Sequence, residues 1–96
     1  MKIPVTFIPF MFDHSPTAKL IKSIDSANRL PGQLEQLQTI MTKDVLTMPY
    51  GYLEQARRRA ESMLALAKDD AEKDLLQGIY MSALRRIQRI HIESRP

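Results

Sequence analysis

Apolar residues recur at steps of three and four along most of this chain, and the longest such run lies in its last third. From Asp70 to about Ile92, the residues Leu76, Ile79, Ala83, Ile87 and Ile90 fall within about 80° of arc on a helical wheel. Leu75, Tyr80 and Leu84 widen that apolar surface to about half the circumference. Just upstream, Leu53, Ala56, Ala60, Met63 and Ala67 step by threes and fours like a heptad seam, predicting a helix over about 50–68. Its alanines permit close approach of a neighbouring helix. Asp69 and Glu72 read as an acidic variant of the capping box at the start of the last helix. Two helices with almost no loop between them predict a tight antiparallel hairpin.

The first half is less regular. Ser15 and Pro16 are a natural N-cap and first helical residue, predicting a helix over about 16–30 with Leu20, Ile24 and Ala27 on one face. Pro31-Gly32 ends it. Leu34, Leu37, Met41, Val45 and Met48 then mark a helix over roughly 33–47, and Pro49-Tyr50-Gly51 is the next break. Before residue 15 the prolines at 4 and 9 argue against a central strand, so residues 1–14 read as an extended arm carrying Phe7, Phe10 and Phe12. The expected architecture is a single all-α domain. It consists of an arm over 1–14 and, over 15–96, a small bundle of three to four helices built on a long antiparallel hairpin.

The width of the last apolar face carries a consequence for function. One antiparallel neighbour covers only a narrow seam, so this helix needs at least two partners. The first two helices of the chain can supply them, and so can a second copy. Phe7, Phe10, Phe12, Tyr80, Leu84 and Ile87 are therefore the candidate partner-binding residues. Among the six methionines, Met81 stands out because the wheel puts it on the polar side of its helix.

Charge adds one candidate site. The net charge is +3 over 96 residues, a mild excess that permits polyanion binding without implying it. Arg57, Arg58 and Arg59 are consecutive and cannot share a helical face, and Glu54 and Glu61 stand four residues from Arg58 and Arg57. Arg85, Arg86 and Arg89 lie on one flank of the apolar stripe, and folding the hairpin brings Arg57 within about a turn of Arg85. A patch of Arg57, Arg85, Arg86 and Arg89 would contact phosphates without reading bases. The acidic residues Asp69, Asp70, Glu72 and Asp74 suit the positive end of the last helix.

Catalytic chemistry is not indicated. Asp13-His14-Ser15 holds the residue types of a hydrolytic triad, but adjacent residues cannot converge as a triad must. There is no cysteine, and the two histidines lie far apart, so neither a thiolate site nor a histidine metal signature exists, and no cofactor is expected. MKIPVTFIPFMF has one lysine and an apolar run broken by prolines, unlike a secretory leader, and no run is long enough for a membrane span. The expectation is a cytoplasmic, non-enzymatic interaction protein of adaptor, chaperone or inhibitor type that binds another protein, itself, or both. A nucleic-acid-binding regulator using the arginine patch is the alternative.

Overall fold

A computed structural model describes residues 14–94. Among these are four α-helices: α1 (Pro16–Ser23), α2 (Gln33–Asp44), α3 (Tyr50–Leu64) and α4 (Asp70–Glu93), with a 3-10 turn at Val45–Thr47 and no strand. The expected all-α bundle on a helical hairpin is the fold observed, and α3 and α4 share its most extensive contact. The arm residues Phe7, Phe10 and Phe12 lie outside the described residues.

Leu53, Ala56 and Ala60 of α3 are fully buried, as are Leu76, Ile79 and Ala83 of α4. These small and branched residues let the two axes come close over a seam of steps of three and four. At the open end of the hairpin the Tyr50 hydroxyl lies 3.0 Å from His91 Nε2, and the two rings meet edge to face with centroids 5.7 Å apart. That contact marks the antiparallel register of α3 against α4.

The other flank of α4 is covered by α2, which contributes Leu34, Leu37 and Met41 to the core. The two helices run in the same direction, with Glu35 near Ala71 and Gln38 over Gly78. A Cβ at Gly78 would run into the Gln38 side-chain amide, so the glycine leaves room for Gln38 to lie across α4. α1 packs on α2 and α3, burying Ala18, Ile21 and the following Ile24.

The boundaries depart from the sequence pattern in three places. α1 stops at Ser23, leaving Ala27 exposed and Leu30 65% exposed, where a helix to residue 30 was expected. The polar run from Ser23 to Asn28 offers the backbone other partners. Ser23 Oγ donates to the Leu20 carbonyl at 2.6 Å, the Asn28 amide donates to Ser26 Oγ at 3.1 Å, and Arg29 Nη1 donates to the Ile24 carbonyl at 2.7 Å. α3 ends at Leu64 instead of residue 68, and the amides of Leu66 and Ala67 close back on the Met63 carbonyl. The hairpin turn is thus a real loop over 65–69. Asp69 makes no side-chain capping bond, and the Glu72 side chain, the other half of the expected box, is engaged by Arg29. By contrast, Ser15 caps α1 as expected, accepting from the Ala18 amide at 3.2 Å, with Pro16 next in line.

Gly32 precedes α2 with φ of 85°, a left-handed conformation that costs an L-residue about 1–2 kcal/mol. Gly51 lies inside α3, with open space where a Cβ would be. Gly32→Ala should therefore lower the unfolding free energy by about 1–2 kcal/mol. Gly51→Ala should raise it by up to about 1 kcal/mol. Urea unfolding of the two variants checks the opposite signs; a matching change in both would contradict the backbone assignment.

Candidate functional site

The candidate surface residues have different fates in the fold. Ile87 is buried in the core with only 6% exposure, so it is not offered to a partner. Tyr80 and Leu84 are half-buried, and Tyr80 packs against the edge of the core. Met81, on the far side of α4 from the core, is half-buried too, between exposed Gln77 and Arg85. Arg85 is exposed and makes no ion pair among the described residues.

The other three arginines of the predicted patch face carboxylates. Arg57 bridges Glu54 and Glu61, each at 3.2 Å, and Arg58 reaches Glu54 at 3.6 Å. The hydrogen bond to Glu54 is the main influence holding the Arg57 guanidinium above its ordinary pKa; Coulombic help comes from Glu54, Glu61 and Tyr80, and burial opposes it. Arg57 therefore stays charged at every ordinary pH. Arg89 Nε donates to Glu93 at 3.1 Å, and Arg86 approaches the same carboxylate at 4.0 Å. The buried Arg86 Nε has no hydrogen-bond partner among the described residues. Among the described residues, the patch is an array of largely neutralised cations in which Arg85 alone has no ion pair.

Two arginines that the periodicity did not single out do more for the architecture. Arg29 Nη2 meets Glu72 at 2.6 Å, while its Nη1 holds the Ile24 carbonyl, so one guanidinium joins the end of α1 to the start of α4. Arg59 of α3 meets Asp25 at 2.6 Å. Both bridges tie the irregular 24–32 segment to the hairpin. They span 43 and 34 residues of sequence, so helical spacing gives no sign of either.

An open groove of about 520 Å³ separates α2 from the first half of α4, lined by Glu35, Gln38, Thr39, Ala71, Asp74 and Leu75. Its floor is shallow and its two charged residues are both acidic. A second open groove, of about 330 Å³, lies beside the Arg29–Glu72 bridge and exposes Leu30. Among the described residues no three His, Asp or Glu side chains gather to hold a metal ion. No helix among them is long and apolar enough to cross a membrane. Ser15 and His14 do not form a catalytic pair: His14 is exposed, and Ser15 caps α1 and shares a 2.8 Å hydrogen bond with the Tyr52 hydroxyl. Comparison with known proteins finds no matching family model, curated protein or solved structure.

The bridging and orphaned arginines should respond differently to an isosteric apolar replacement. Arg29→Met removes two short charge-assisted bonds from partly exposed groups and should cost about 1–2 kcal/mol. Arg86→Met removes a buried donor that has no partner and should be neutral or stabilising, within about 0.5 kcal/mol of wild type or above it. Chemical denaturation reads both; an Arg86→Met loss as large as that of Arg29→Met would show that Arg86 is a structural bridge.

Proposed function

We propose that this chain is a cytoplasmic, non-enzymatic protein-interaction module of adaptor, chaperone or inhibitor type, which self-associates through the outward side of α4. The observation that carries this reading is the state of that side. The helix spends Leu76, Ile79, Ala83 and Ile87 on its own bundle, yet Tyr80, Met81 and Leu84 remain partly accessible beside an arginine with no carboxylate partner among the described residues. Aromatic residues, methionine and arginine are the types enriched at protein contacts. The arm residues Phe7, Phe10 and Phe12 are a second apolar contribution in the same proposal. The absence of cysteine suits a reducing compartment.

The nucleic-acid alternative is the weaker of the two. Three of its four arginines already face carboxylates, which lowers the positive potential that phosphates would meet.

Two measurements separate these readings. Leu84→Glu should shift light-scattering mass toward the monomer while the circular dichroism of the helices stays within about a tenth of wild type, because the position is only half-buried. A wild-type protein that is monomeric at high concentration would remove self-association from the proposal. Fluorescence anisotropy with a labelled duplex should show no saturable binding even at low salt. A tight complex that weakens steeply as salt rises would favour the alternative.

A further inference from the structure

The exposed side of α4 is self-complementary in charge. Asp74, Met81, Arg85, Gln88 and Ile92 fall within about 60° of arc on the helical wheel, on the side away from the core, with Gly78 at the margin beneath the Gln38 side chain. Asp74 and Arg85 are both exposed, and among the described residues neither has an ion-pair partner. They stand eleven residues apart, about three helical turns, so they project from nearly the same side.

Each is also placed beside its own charge. Asp70 and Asp74 are a like-charged pair four residues apart, and so are Arg85 and Arg89, an arrangement that destabilises an isolated helix. Glu35 of α2 adds a second carboxylate to the groove that Asp74 lines. The helix dipole does not account for the inner pair. Its influence fades within the terminal turns, whereas Asp74 is the fifth residue of a helix over Asp70–Glu93 and Arg85 stands eight residues before its end.

We propose that α4 docks antiparallel against α4 of a second copy, in the register that sets Asp74 of each copy against Arg85 of the other. This deepens, and rests on, the self-association reading above. The two-fold axis then falls between residues 79 and 80. Each Arg85 enters the acidic groove between α2 and α4 of the other copy, beside Asp74 and Glu35. Asp70 comes level with Arg89, so both like-charged pairs gain opposite-charged neighbours. Met81 comes level with Gly78 of the second copy, where the Gln38 side-chain amide lies over the glycine and would meet the methionine. The exposed Leu66, 69% accessible in the turn before α4, and Ile92, 57% accessible near its end, are brought to the same end of the pair from opposite copies. A parallel arrangement would instead stack aspartate on aspartate and arginine on arginine.

The test is sedimentation velocity on the full chain as wild type, Asp74→Arg, Arg85→Asp and an equimolar mixture of the two variants. Wild type should show a monomer–dimer equilibrium. Each single variant creates two like-charge contacts per dimer and should weaken dimerisation by at least about tenfold. Mixing should restore it, because a heterodimer of the two variants again sets an arginine against an aspartate at both contacts. The double variant in one chain should dimerise as the wild type does. Circular dichroism of each variant confirms that these surface changes leave the helices intact. If wild type dimerises and Leu84→Glu weakens it, but the mixture stays monomeric, this register is overturned and the self-association reading survives. A monomeric wild type overturns both.

Discussion

The fold depends on one geometric demand: α4 is apolar around about half its circumference, and no single neighbour can cover so wide a surface. α3 closes one flank, where Ala56 and Ala60 let the axes approach, and α2 closes the other, where Gly78 leaves room for Gln38. α1 then packs over α2 and α3 and completes the core with Ile21 and Ile24. Fully burying each large aliphatic side chain stabilises by about 1.5–3 kcal/mol. The partly exposed bridges Arg29–Glu72 and Arg59–Asp25 are worth less each, so burial organises the bundle and the ion pairs fasten its least regular segment.

Periodicity made the hairpin legible, because its buried residues sit on long uninterrupted helices. Leu53, Ala56, Ala60, Leu76, Ile79 and Ala83 all reach zero exposure on the seam that their spacing defines. It failed between residues 24 and 32. There the apolar residues Ala27 and Leu30 keep helical spacing, but the Ser23 and Ser26 side chains bond the local backbone and compete with a helix. Half of the capping pattern at Asp69 and Glu72 was misleading for a different reason: a distant arginine claimed the glutamate side chain, and no local rule anticipates a partner 43 residues away.

The basic residues show how a sequence motif can change meaning in the fold. Three consecutive arginines invite a reading as a polyanion site, yet each is committed: Arg57 and Arg58 to carboxylates of their own helix, and Arg59 to Asp25. The pairs with Glu54 and Glu61 were legible from spacing of four. Of the arginines in α4, Arg89 is paired and Arg86 lies close to the same glutamate, which leaves Arg85. What distinguishes this cation is its place on a stripe that also holds Met81 and Asp74, the latter likewise without an ion pair among the described residues. The stripe lies opposite the core, so the wheel that identified the buried face also defines the accessible one.

The outward stripe of α4 is the surface proposed to meet a partner, and the partner proposed is a second copy of the chain. The most direct measurement is a dilution series of amide-resolved nuclear magnetic resonance spectra of the full chain. Concentration-dependent shifts should follow Asp74, Gly78, Met81, Arg85 and Gln88, with the buried seam of α3 unmoved. Shifts centred on the Arg59–Asp25 side, or spectra that do not change with concentration, would contradict it.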